Sequence, residues 1–170
     1  MFLTPRLKRS YLALMPYWPL VVIVLCLAAA AAVLVDNIYV FWRFNAWMQY
    51  FMGLFFVVFA MFKLFNLKGF VQGFKKYDLP TQAWAPYGYI YPLLELGLGL
   101  WWLGVSDHTW VALATLVLML VSGVGVLHAL LIKHMDIRCA CLGTTLNVPL
   151  STVSLVETFG MAAMAAWMIF

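Results

Sequence analysis

The chain has 170 residues, of which 66% are hydrophobic and 9% charged, and its formal net charge is +4. A soluble domain is nearer half apolar and a quarter charged, so these few charges cannot clothe a water-facing surface and lipid must be the main solvent. The basic residues stand singly or in short groups at the ends of apolar runs, which excludes a nucleic-acid patch, and three cysteines in so apolar a chain exclude a secreted disulfide framework.

In chain order, residues 1–15 carry Arg6, Lys8 and Arg9 and no acid, as a cytoplasmic anchor would. From about Pro16 to Val35 the chain is apolar and uncharged, long enough at about 20 residues to span a bilayer. Pro16 and Pro19 fall at its start, where a helix tolerates proline. The alanines 28–32 offer an A-x-A match, but the apolar run exceeds a usual signal-peptide core, so an uncleaved first span is expected. Asp36 to Asn45 is a short connection, and Trp42 and Trp47 suit an interface. A second span is predicted over Ala46 to Phe65. Asn66 to Ala85 then mixes Lys68, Lys75, Lys76, Asp78 and Gln82 with Phe70, Phe74 and Tyr77. Those three aromatics are spaced i, i+4, i+7, which predicts a short amphipathic helix on the membrane surface, ended by Pro80. The third span is expected over Tyr87 to Val105, with Pro92, Glu95, Gly97 and Gly99 inside it. The fourth is expected over Trp110 to Ile132, with Ser122, Gly123, Gly125 and Ala129 as small residues that let helices approach. A polar break, residues 133–149, precedes a fifth span from Pro149 to Phe170. The expected fold is therefore an all-α integral membrane bundle of about five spans. It forms a single membrane domain over 1–170, with the tail and first span in 1–45 and the main bundle in 46–170.

Orientation follows from Lys and Arg. With the N-terminus inside, nine of the ten basic residues face the cytoplasm: Arg6, Lys8, Arg9, Lys63, Lys68, Lys75, Lys76, Lys133 and Arg138. Arg43 alone lies outside. The break at 133–149 is then cytoplasmic.

Ionisable groups within spans are costly, so each needs a partner or a task. Lys63, Glu95, His128 and Glu157 all fall in the inner half of the bilayer. Glu95 lies about 12 Å deep at about 1.5 Å of rise per residue. Their shared depth predicts one polar site between helix ends. Lys63 and Glu95 are the natural ion pair, either a structural tie between spans two and three or a proton or ligand site. His128 reads as an interhelical hydrogen-bonded side chain or as a proton carrier or metal ligand. Glu157 reads as a proton acceptor or as a hydrogen-bond acceptor within the bundle. His108 reads as an ordinary turn residue, and Cys26, mid-span, as a small apolar packing residue.

Cys139 and Cys141 lie in the polar break, with Lys133 and Arg138 near to favour the thiolate. Two thiols at this spacing can bind soft metals such as Cu(I), Hg(II) or Zn(II), with His134 as a candidate third ligand. They can instead form a strained, easily reduced disulfide, or exchange with a partner's thiol. A cytoplasmic position argues against a lasting structural disulfide. Unreactive cysteines at a helix end are the remaining reading.

Two stretches carry a family resemblance. One is Phe62-Lys63-Leu64-Phe65-Asn66-Leu67-Lys68-Gly69-Phe70, with Tyr77-Asp78-Leu79 and Tyr91-Pro92-Leu93-Leu94-Glu95-Leu96-Gly97-Leu98-Gly99-Leu100. The other is Cys139-Ala140-Cys141-Leu142-Gly143 with Val148-Pro149-Leu150-Ser151. With them the chain resembles the DoxX-like superfamily and, within it, the methylamine-utilisation MauE type of redox-associated membrane protein. The resemblance implies a four-helix core, an N-terminal helix outside it, and a bacterial inner-membrane location. It marks the Lys63–Glu95 region and the Cys-x-Cys loop as sites. It also implies thioredoxin-like, glutaredoxin-like or heavy-metal-associated partner proteins, and a part in maturing an enzyme such as methylamine dehydrogenase. The expected function is thiol–disulfide exchange through Cys139 and Cys141, with Lys63, Glu95, His128 and Glu157 balancing charge and handling protons. The alternatives are soft-metal binding or transport and a structural membrane scaffold. No cofactor is firmly implied beyond the metals of that alternative.

Overall fold

A backbone surrounded by lipid must close its hydrogen bonds within its own segment, so each long apolar run is forced into a helix. In the computed structural model, which describes residues 18–38, 43–104, 108–131 and 150–169, every regular element is helical. These are α1 (Trp18–Ile38), α2 (Arg43–Phe65), α3 (Leu67–Phe74), α4 (Leu79–Ala83), α5 (Tyr87–Gly104), α6 (Thr109–Leu131) and α7 (Leu150–Trp167). Three of them are long and apolar enough to cross a membrane, over Trp18–Val35, Phe44–Phe65 and Thr109–His128. The chain is thus a multi-pass, all-helical protein of the bilayer. The long elements start and stop within a few residues of the apolar runs. The N-terminal tail and the break with Lys133, His134, Arg138, Cys139 and Cys141 lie outside the described residues.

Helix α2 is the hub. It packs along α5 on one side and α1 on another, while α6 packs along α7. Its core face is a ladder of rings: Trp47 stacks on Phe51 at 5.2 Å, and Phe55 stacks on Phe59 at 4.2 Å. Leu27 and Ala31 of α1, Trp102 of α5, Val111 and Ala112 of α6, and Met161 and Ala165 of α7 close around it. The side-chain polar groups of Trp47, Gln49 and Trp102 at this core are matched, as burial demands. The Trp102 indole N–H donates to Thr115 Oγ1 at 2.9 Å, and the Gln49 amide donates to the Trp102 carbonyl at 2.9 Å. The Trp47 indole donates to the Ala28 carbonyl at 3.0 Å, which ties α1 to α2.

Close approach of α2 and α5 depends on two glycines. A Cβ on Gly99 would sit 2.9 Å from the Gly53 carbonyl oxygen and 2.9 Å from the Val57 nitrogen. These are backbone atoms that cannot swing aside, so the helices touch only because Gly53 and Gly99 lack side chains. Gly97, two residues away, has nothing within 4 Å and takes no part in the crossing.

The segment after α2 departs from expectation. In place of one amphipathic helix ended by Pro80 there are two short helices with a turn between them. Asn66 caps α3 by accepting from the Gly69 N–H at 3.1 Å. Asp78 caps α4, and Pro80 sits in the first turn of α4, where its missing N–H costs nothing, so the proline opens a helix here. Phe70, Phe74 and Tyr77 do share a face, but that face is buried against Tyr91 and Val126 of the bundle. Cys26 also differs from expectation: it is exposed, because the packed face of α1 is Leu27, Ala31 and Val35.

The glycine crossing sets a clear contrast. Gly97→Ala should stabilise the detergent-solubilised protein by about 0.5–1 kcal/mol through helix propensity. Gly99→Ala should destabilise it by about 1–3 kcal/mol through overpacking. Thermal unfolding followed by circular dichroism checks both.

Candidate functional site

At the end of the bundle away from Trp102, α2 and α5 bring two opposite charges together. Lys63 stands in the last turn of α2, and both it and Glu95 of α5 are only 3% exposed. The Lys63 ammonium donates to both Glu95 oxygens, at 2.6 Å to Oε1 and 2.5 Å to Oε2. Neither charge could be held here alone, because each would lose its hydration without compensation.

The pair is walled by rings. Lys63 Nζ lies 5.2 Å from the centre of the Tyr91 ring and 5.6 Å from that of Phe70, within cation–π range. Phe74 packs 4.7 Å from Tyr91 and 4.8 Å from Phe70, so α3 lies across the pair as a lid. Tyr91 and Glu95 are four residues apart on α5 and share a face. The Tyr91 hydroxyl accepts from Ser122 Oγ of α6 at 3.0 Å, which links α5 to α6.

A cavity of about 30 Å³ opens between these groups, lined by Lys63, Glu95, Tyr77, Tyr91, Ser122 and Glu157 among others. That is room for roughly one or two waters. Lys63, Glu95 and Glu157 thus meet at one cavity although they come from α2, α5 and α7. Glu157 is half-buried there, beside the buried Thr158. His128 takes a different place. Met119, Ser122 and Val126 are the cavity face of α6, and His128, two residues past Val126, is turned about 200° from it. Cys139, Cys141 and His134 belong to the connection that leaves α6 at Leu131 and enters α7 at Leu150. Among the described residues no three His, Cys, Asp or Glu side chains gather as a metal-binding group.

Sequence reasoning overlooked Tyr91, Ser122 and Tyr77 as parts of this site. The signal for Tyr91 was its one-turn spacing from Glu95. Ser122 carried no signal beyond being small in an apolar context, and Tyr77 was marked only as the end of the Phe70, Phe74, Tyr77 stripe. Gly125 also belongs to the construction. A Cβ there would meet the Tyr77 carbonyl oxygen at 3.1 Å and Asp78 Cα at 3.2 Å, so this glycine lets the turn carrying Tyr77 seat on α6. Asp78 is fully buried in that turn, and its Oδ2 accepts from the Thr81 N–H at 2.9 Å and the Thr81 hydroxyl at 2.6 Å. Its Oδ1 has no hydrogen-bond partner. Burial pushes the Asp78 carboxyl above its ordinary value of 3.8, and the Thr81 hydrogen bonds pull the other way.

Buried opposite charges inside a multi-pass helical bundle, enclosed by rings and a water-sized cavity, define a membrane protein with an internal polar site. A family model described as Methylamine utilisation protein MauE matches residues 10–170, and the chain belongs to that family. Searches of curated proteins and of solved structures return no match.

Two outcomes follow for stability. Lys63→Met should cost about 3–5 kcal/mol, since it strands buried negative charge. Glu95→Gln should cost clearly less, since Glu157 still lines the cavity beside the ammonium. Denaturant unfolding in detergent measures the difference. For Asp78, a raised folded value means its contribution is complete below the ordinary 3.8 and is lost as pH rises through the raised value. Asp78→Asn keeps a capping oxygen and should flatten that part of the stability–pH curve, whereas Asp78→Ala should lose about 1 kcal/mol of capping.

Proposed function

We propose that the protein is a thiol-redox component of the bacterial inner membrane. In this reading Cys139 and Cys141 exchange thiol and disulfide with a thioredoxin- or glutaredoxin-like partner. The exchange serves the maturation of another protein, such as methylamine dehydrogenase. Helices α1, α2, α5, α6 and α7 are its five spans, with α2, α5, α6 and α7 as a DoxX-like core. The N-terminus and the connection bearing the cysteines face the cytoplasm.

The observation that carries the reading is where the cysteine-bearing connection joins the bundle. It leaves α6 and enters α7 at the same end as the Lys63–Glu95 cavity, whose lining includes Ser122 and Val126 of α6 and Glu157 and Thr158 of α7. Membership of the MauE family supports a link to methylamine utilisation. The chemistry balances. The Cys139 thiolate attacks one sulfur of a partner disulfide, forming a mixed disulfide and releasing one partner thiolate. The Cys141 thiolate then attacks the Cys139 sulfur and releases the second. The pair loses two electrons and becomes a disulfide. The partner gains them, and the protons given up by the pair end on the partner's thiols. Lys63, Glu95, His128 and Glu157 balance charge at this end of the bundle.

Cys141→Ser should trap a mixed disulfide with the partner, and Cys139→Ser should not, as read on non-reducing gels from cells carrying Cys26→Ser. In the same cells a membrane-impermeant thiol reagent should miss both cysteines in intact spheroplasts and label them after permeabilisation. Stoichiometric Cu(I) capture by the purified protein, with no disulfide detected in cells, would instead assign the pair to soft-metal binding.

A further inference from the structure

Helices α5 and α6 are neighbours in the chain, but α5 packs chiefly on α2 and α6 chiefly on α7. An open groove of about 1000 Å³ is left between them. Tyr87, Leu94 and Trp101 of α5 face Trp110, Val117 and Val121 of α6 across it. Among the described residues no charged side chain lines this groove. From Tyr87 to Trp101 it runs about 21 Å, at about 1.5 Å of rise per residue. One of its walls, α6, is long and apolar enough to cross a membrane, so the groove opens toward acyl chains.

The Tyr87 end of the groove has a different character. Pro80 of α4 lines it there, and Trp84, exposed just before α5, marks the level at which a bilayer turns polar. The turn ahead of α4 is tied to this mouth, because the Gln82 side-chain amide donates to the Lys76 carbonyl at 3.2 Å. Lys75 and Lys76 are exposed on that turn, and Lys68 is exposed on α3. The single acid between residues 66 and 86 is Asp78, which is fully buried. The surface at this mouth is therefore basic, and the groove beyond it is apolar. We propose that the groove between α5 and α6 binds an anionic phospholipid, with an acyl chain along the groove and the phosphate held by Lys75 and Lys76. This site is separate from the Lys63–Glu95 cavity and independent of the cysteine exchange.

Charge, length and width select this occupant. Two ammonium groups at one end of an apolar channel complement a molecule with one anionic end and a hydrocarbon body. A lysine near a membrane surface favours anionic lipid by about fivefold. The hydrocarbon core of a bilayer is about 30 Å thick, so a tail from one leaflet reaches about half that distance and fits within the groove. A transmembrane helix fits less well. The volume of about 1000 Å³ spread over that length is a section of about 50 Å². A helix with its side chains is about 10–12 Å across, which is about twice that section.

Native mass spectrometry of the full-length protein in nonionic detergent, titrated with phosphatidylglycerol or with phosphatidylcholine of the same chains, tests this. The wild type should retain phosphatidylglycerol with about 25-fold preference, from two lysines at about fivefold each. K75Q and K76Q should each cut the preference about fivefold and leave phosphatidylcholine binding as it was. V117W fills the groove from an exposed position and should weaken binding of both lipids. L25W adds the same ring at an exposed position of α1 and should weaken neither, which separates filling the groove from a general effect of the new side chain. The proposal is overturned if the two lipids bind equally, if the preference survives in the K75Q/K76Q double variant, or if V117W binds as the wild type does. Full displacement of the lipid by glycerol phosphate would overturn it too, since the groove would then contribute nothing. A two-chain species that disappears in V117W would assign the groove to a second copy of the chain instead.

Discussion

Holding Lys63 and Glu95 together inside an apolar bundle is the constraint on which the rest of this structure turns. An ammonium and a carboxylate without water are tolerable only in direct contact, with further polar or aromatic neighbours close by. Much of the architecture at this end meets that demand. Helices α2 and α5 must be close enough for a lysine and a glutamate to touch. Phe70 and Tyr91 must face the ammonium. The turn through Tyr77 must close over the cavity.

Each requirement is met by something small and specific. Gly53 and Gly99 let α2 and α5 meet backbone to backbone. Gly125 seats the Tyr77–Asp78 turn on α6. Ser122 holds the Tyr91 hydroxyl, which keeps the ring beside the ammonium. At the opposite end the bundle is secured differently, by the aromatic ladder of α2 and by hydrogen bonds from Trp47, Gln49 and Trp102. The first end keeps a small polar cavity, and the second is tied by rings and indole and amide hydrogen bonds.

Much of this was legible in the chain. Long apolar runs fix the helices, and Lys63 and Glu95 stand out because so few charges interrupt those runs. Shared depth suggested Glu157 as a neighbour of the pair, and Glu157 lines the same cavity. Depth is only one of two coordinates on a helix, however, and the other is rotation about its axis. His128 lies at the right depth, yet it is turned away from the face formed by Met119, Ser122 and Val126. Rotation was hidden for α1 as well. That helix is apolar all round, so nothing distinguishes the side bearing Cys26 from the side bearing Leu27 and Ala31. The stripe of Phe70, Phe74 and Tyr77 was plain, but lipid and a bundle's flank are equally apolar, so its partner was not.

What the sequence determined by itself is the environment, the helical class, the approximate ends of the long helices and the identity of the buried pair. These follow from local composition and from the cost of bare backbone and bare charge in lipid. Tertiary structure alone decided which faces meet, that Pro80 opens a helix, and that Glu157 joins Lys63 and Glu95 at one cavity while His128 does not. Those outcomes depend on contacts between residues far apart in the chain, at glycines and small polar groups whose meaning appears only when a second helix lies against them.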